Sequence, residues 1–226
     1  MKMVQSASPG GPRALDQARR PRVTKPPDQR RRDILDAATR LFRERGFDPT
    51  TVQAVAAEAD VAAGTVYLYF PSKDAILTAV HEEFDAGMLE RFAAVAEEVI
   101  AEEVASGTTV SYQDVVERLI DGMVAYSLER RDVTQVLARH LGRTAESHTA
   151  PAFSAGLAEV LTRVIREAIR LGYVHTSDPE MTAYLLNIAA ETAIGHAIAF
   201  EDEATLARVV RQVKELYIKA LAPAGH

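Results

Sequence analysis

The chain has 226 residues, 47% hydrophobic and 26% charged, a composition ordinary for a globular protein with room for one sizeable core. It contains no cysteine, which excludes disulfides, thiol chemistry and a thiolate zinc site. The net charge of −6 is unevenly spread: residues 1–76 hold 13 basic and 9 acidic side chains, and the rest hold 13 and 23, so only the front suits a polyanion.

No uninterrupted apolar run approaches the roughly 18–20 residues of a membrane span. The first residues lack the apolar centre of a signal peptide. A cytoplasmic chain with no membrane partner is the expectation.

Residues 1–27 are rich in Pro, Gly, Ser and Arg without apolar periodicity, and read as a disordered basic arm. Asp28 is a plausible cap for a first helix, in which Ile34, Ala37, Ala38, Leu41 and Phe42 form one apolar stripe. Gly46 ends it. A second, short helix carries Val52, Val55, Ala56 and Ala59 inward; Thr50 has capping-box spacing to Gln53, and Thr51 is an equal candidate for the cap. Asp60-Val61 interrupts it, and a third helix runs from about Ala62 to Phe70, stopped by Pro71-Ser72. Ser72 is placed to cap the fourth helix. Helical periodicity then predicts segments near 72–104, 111–130, 132–147, 151–171, 178–200 and 203–221, with Gly87 a candidate kink in the first of them. No strand-like alternation of useful length and no repeat is present. The fold class is all-α.

Two short helices joined by a tight turn have helix-turn-helix geometry. On a helical wheel, Val66 and Phe70 of the third helix share one side, which suits the core. Gly64 and Leu68 point nearly the other way, with Ala63 and Tyr67 at a flank. That outward face is small, aromatic and aliphatic, a poor choice for water. It suits a major groove, where Ala63 and Gly64 permit close approach and Tyr67 or Leu68 can meet a thymine methyl. The hydroxyls of Thr65, Tyr67 and Tyr69, and the ammonium of Lys73, suit phosphate oxygens.

The stretch "TTVQAVAAEADVAAGTVYLYFPSKDAIL" (50–77) resembles the DNA-binding signature of the TetR family of bacterial repressors, and "ILDAATRLFRERGFDPTT" before it is similar to that family's first helix. The resemblance implies a helix-turn-helix domain over 28–74 and a helical effector-binding and dimerisation domain over 75–226. It implies phosphate contacts by Thr51, Thr65, Tyr67, Tyr69 and Lys73, and base contacts by Gln53, Ala63, Gly64, Tyr67 and Leu68. Two positions depart from the family's pattern. Asp60 stands where the turn usually has Gly, and Ala62 where the recognition helix usually has a Ser or Thr cap. The motif is also somewhat similar to the acyl-CoA-responsive members that regulate fatty-acid metabolism.

The small residues Ala189, Ala190, Ala193, Gly195 and Ala197 and the stripe Leu206, Val209, Val210, Val213, Leu216, Tyr217 and Leu221 nominate helices 178–200 and 203–221 for a homodimer bundle. Tyr126, Arg139 and His140 are the candidate ligand-binding residues; Asn187, Glu191, Thr192 and His196 are polar groups in the proposed dimer helix. The expected partners are an operator duplex, a predominantly apolar small-molecule effector and a second copy of the chain, with no cofactor and no metal.

Enzymatic signals fail. His81-Glu82-Glu83 lacks the second His of a zinc-protease helix, and His140 and His148, eight apart, have no organised carboxylate beside them. No catalytic residue is expected. A helix-turn-helix protein acting mainly through a protein partner is the alternative function.

Overall fold

The computed structural model describes residues 26–140, 155–170 and 172–221, the side chains of 155–158 excepted. Of the expected features, the arm up to residue 25, the end of helix 132–147 beyond residue 140 and the start of helix 151–171 lie outside these residues.

Helix α1 spans Pro27–Arg45. Asp28 was the expected cap, but it sits inside the first turn and Pro26 precedes the helix instead. A residue before proline is pushed to extended geometry, and a proline at the first helical position forfeits no hydrogen bond, so the Pro-Pro pair sets the start. Asp28 there still faces the positive end of the helix dipole.

Helix α2 covers Val52–Glu58 and α3 Ala63–Tyr69. The turn between them closes with Val61 N–H on Ala56 O (2.9 Å) and Asp60 N–H on Ala57 O (3.2 Å), with Asp60 left-handed at φ 53°. That is a Schellman ending, with aspartate at the position where glycine would cost least strain.

Helix α4 runs unbroken through Lys73–Ser106, 34 residues or about 51 Å, and Ser72 caps it by accepting from Ala75 N at 3.1 Å. Gly87 lies in mid-helix, where a Cβ would lie 2.1 Å from the Tyr126 hydroxyl, so the glycine makes room for that ring.

Helices α5 (Tyr112–Glu129), α6 (Arg131–His140), α7 (Ala155–Arg170), α8 (Pro179–Phe200) and α9 (Glu203–Ala220) build the body. Ser111, Asp178 and Asp202 cap α5, α8 and α9, each accepting from a backbone N–H three residues on. The Thr205 N–H holds the Asp202 carboxyl below its ordinary range.

The body is organised around α8, which packs on α6, α7 and α9, while α4 pairs with α5 and α1 rests on both α2 and α6. By length and mean hydropathy (1.2), α8 is the one described helix able in principle to cross a bilayer. Asn187 and Glu191 interrupt it, and Ala183, Leu186, Ala190, Ile194, Ala197 and Ile198 bury its inner face in the protein, as a core helix requires.

One hydrophobic cluster continues from Ile34 and Phe42 of α1 through Val55 and Val66, into Ile76, Leu77 and Val80 of α4, and on to Ile194 and Tyr217. The packing therefore does not break at residue 74. In α9 the expected single stripe divides: Val213, Tyr217 and Leu221 are buried, whereas Leu216 is exposed.

Candidate nucleic-acid interface

The helix-turn-helix is built on a short loop after α1. Gly46 leaves the helix at φ 87°, a value L side chains rarely adopt. Thr50 then folds back, almost fully buried, and its hydroxyl donates to Gly46 O at 2.7 Å. With Thr50 so occupied, Thr51 is the cap of α2: its Oγ1 accepts from Ala54 N at 3.1 Å. Gln53 is exposed and takes no part in a capping box.

Lys73 fixes the same loop from the other side. Its Nζ donates to Phe47 O at 2.6 Å and Asp48 O at 3.0 Å, and lies 4.3 Å above the Phe47 ring. Two of the three ammonium donors expected for phosphate are thus committed to the protein's own carbonyls. Phe70 closes the unit, buried beneath the Arg31 guanidinium (5.4 Å), which also pairs with Glu83 of α4 at 2.5 Å.

The outcome for α3 is a helix anchored by one edge. Val66 is fully buried and Phe70 nearly so. Leu68 is 84% exposed and Tyr67 49%, and a Cβ added to Gly64 would touch nothing within 4 Å. Ala63, Thr65 and Tyr69 are half-buried at the flanks. Ala62 begins the helix with no side-chain cap. The structure therefore brings Ala63, Gly64, Thr65, Tyr67 and Leu68 to one projecting surface, with Thr51 and Gln53 exposed on the neighbouring α2. A single exposed leucine means little, but here Leu68 and Tyr67 are adjacent exposed apolar side chains on one projecting helix.

The three candidate ligand-binding residues do not meet in a cavity. Arg139 Nη1 donates to Arg43 O at 2.9 Å, at the end of α1, and Arg43 itself pairs with Asp132 of α6 at 2.5 Å. The His140 ring meets Phe47 edge-on at 4.9 Å. Both residues therefore fasten α6 to the helix-turn-helix unit. Tyr126 lies between α4 and α5, its ring 5.1 Å from Phe84, and burial raises its pKa. Their sequence neighbourhood, polar groups in apolar helices, fits an interdomain clamp as well as it fits a pocket.

Sequence reasoning passed over two features. One is a buried polar cluster on α4 and α8: His81 Nε2 stands 3.2 Å from Glu191 Oε1 and 3.6 Å from Asp85 Oδ1. Burial pushes the Asp85 carboxyl up to about 7, with Glu191 adding to the effect and His81 opposing it. The i, i+4 spacing of His81 and Asp85 was the available signal. The other is a cavity of about 340 Å³ between the end of α4 and α5, α7 and α9. Its lining comes from four distant segments, so no local pattern announces it.

Residues 34–80 match the family model for bacterial regulatory proteins of the tetR family. Among individual relatives, the chain is 48% identical over 50 residues to the transcriptional regulator HbdR of Aromatoleum sp., and 47% over 58 residues to the transcriptional repressor KstR of Rhodococcus jostii. These stretches cover 22% and 25% of this chain and only 22% and 27% of the relatives' own lengths. The fold likeness runs much further. A crystal structure of a TetR-family regulator from Pectobacterium atrosepticum superposes over 88% of this chain and 97% of its own, at 26% identity and a TM-score of 0.65. The matched relatives are transcriptional regulators. The helix-turn-helix is thus matched in sequence to the tetR family of bacterial regulatory proteins, and the described helices share the fold of a solved member.

Proposed function

We propose that this regulator is a ligand-responsive repressor that binds a near-palindromic duplex as a homodimer and leaves it when a small molecule occupies the helical body. The observation that carries the reading is α3, held at Val66 and Phe70 while Gly64, Tyr67 and Leu68 stand clear of the protein. That is the surface a major groove would cover. Repression follows the relative KstR, a transcriptional repressor.

The dimer reading is supported by apolar side chains left uncovered on α8 and α9: Met181, Leu185 and Phe200 on the first and Leu216 on the second are each roughly half exposed. Gly195 has open space where a Cβ would stand, which allows close helix approach. Two recognition helices on one dimer would read half-sites about one helical turn apart.

The test is selection from a random duplex pool by the purified protein, repeated with Tyr67→Ala. An inverted repeat enriched by the parent protein and lost in the variant supports the reading. No enrichment, or enrichment indifferent to Tyr67, overturns it and leaves action through a protein partner in its place.

A further inference from the structure

The cavity at the far end of the body has walls with a definite chemistry. Its volume, about 340 Å³, falls at the small end of the range for small-molecule sites. Val116, Leu119, Leu161, Ile165 and Val174 supply aliphatic surface. Tyr112 comes with its hydroxyl already donated to Tyr217 O at 3.1 Å, and Ser111 is committed to capping α5. Burial raises the pKa of both tyrosines, so neither supplies a charge.

Among the described lining residues there is no Lys, Arg or His, and the one ionisable carboxylate is Glu103. Its Oε1 accepts from Val110 N at 2.8 Å, which holds it at the junction of α4 and α5. Two arginines on the lining helices are engaged elsewhere: Arg118 of α5 pairs with Glu102 at 2.7 Å, and Arg166 of α7 with Glu180.

A carboxylate or phosphate entering this cavity would lose its water, find no cation among the described lining residues and face the Glu103 carboxylate. A coenzyme A head group also far exceeds the space. Resting on the ligand-responsive reading above, we propose that this cavity is the effector site and that it takes an apolar molecule with a hydrogen-bond donor at one end and no negative charge. Acyl-CoA thioesters and free fatty acids are then excluded, although the recognition motif is similar to that of regulators sensing such compounds. The donor end meets Glu103 and the apolar remainder lies against α5 and α7.

The experiment uses the full chain and N-phenyl-1-naphthylamine, an uncharged dye that fluoresces in apolar surroundings. It is competed with 1-decanol, decanoate and decanoyl-coenzyme A, which share one ten-carbon chain. Decanol is expected to displace the dye, with decanoate and decanoyl-coenzyme A at least about tenfold weaker. Glu103→Gln should narrow the gap between decanol and decanoate. Ala168 lines the cavity and is half-buried, so Ala168→Leu and the larger Ala168→Phe should weaken the dye in that order. A melting temperature held or raised in Ala168→Leu shows that the variant fills space rather than unfolding the body.

Decanoate binding as well as decanol overturns the charge assignment. Dye binding unaffected by both Ala168 variants overturns the location. Release of the selected duplex, followed by fluorescence anisotropy, separates this proposal from the reading beneath it. If decanol fills the cavity and the duplex stays bound, the ligand-responsive reading fails along with the effector role, and only the cavity's chemistry stands. If decanol releases the duplex equally well from the Ala168 variants, that reading stands and the cavity assignment fails.

Discussion

Asp85→Asn tests whether the buried cluster on α4 stores a pH-dependent strain. The Asp85 side chain is 16% exposed, with His81 Nε2 at 3.6 Å, and the Glu191 carboxylate meets the same ring nitrogen at 3.2 Å. Burial raises its pKa from 3.8 to about 7, Glu191 and Glu82 push the same way, and the neighbouring Tyr126 is a neutral phenol. The folded state therefore holds a proton that the unfolded state has already lost between those two values. Its contribution to stability is fully present below about pH 4 and is lost as pH rises through about 7. At 1.36 kcal/mol for each pH unit, the difference between 3.8 and about 7 sets an upper limit of roughly 4 kcal/mol, and partial solvent access brings the expectation to about 1–3 kcal/mol.

Asparagine keeps the shape and cannot ionise. Asp85→Asn should thus be more stable than the parent at pH 8 by about 1–3 kcal/mol, with the gain shrinking to nothing near pH 4. Urea unfolding of both proteins across that range measures the difference directly, and groups titrating equally in both cancel. A variant no more stable at pH 8, or a gap that stays constant with pH, refutes the argument.

Two other substitutions probe close contacts. Gly87→Ala places a methyl 2.1 Å from the Tyr126 hydroxyl and should cost about 1–3 kcal/mol, read as a fall in melting temperature. Adding Tyr126→Leu, which removes the ring from that space, should recover much of the loss. Lys73→Ala should lower the melting temperature of the DNA-free protein, because it frees the Phe47 and Asp48 carbonyls; a lysine serving phosphate alone would leave that temperature unchanged.

The helix-turn-helix was legible because its signals are local. Gly46, Asp60 and Pro71-Ser72 punctuate the chain, and the wheel separates Val66 and Phe70 from Gly64 and Leu68 in agreement with their burial. Which of Thr50 and Thr51 caps α2 was not legible, since the choice turns on Thr50 reaching Gly46 O across the loop. The contacts of Arg139 and His140 were hidden for the same reason: their partners, Arg43 and Phe47, are more than ninety residues away. The cavity was hidden further, because its aliphatic lining is indistinguishable in sequence from ordinary core. The start of α1 was misjudged locally, where a Pro-Pro pair outweighed an aspartate cap.

The uninterrupted cluster running from α1 into the first turns of α4 bears on how such regulators exchange parts. Ile76 is fully buried and Leu77, Ala79 and Val80 nearly so, yet all four lie beyond α3, the last helix of the helix-turn-helix. A chimera joined at residue 74 would give one parent's α1–α3 the other parent's α4, and its core would be a mosaic of two unrelated packings. Joined beyond Val80, the head carries its own floor with it. Transfer of an intact α1–α3 head in this architecture is thus tied to about two turns of α4 whose buried face packs beneath it.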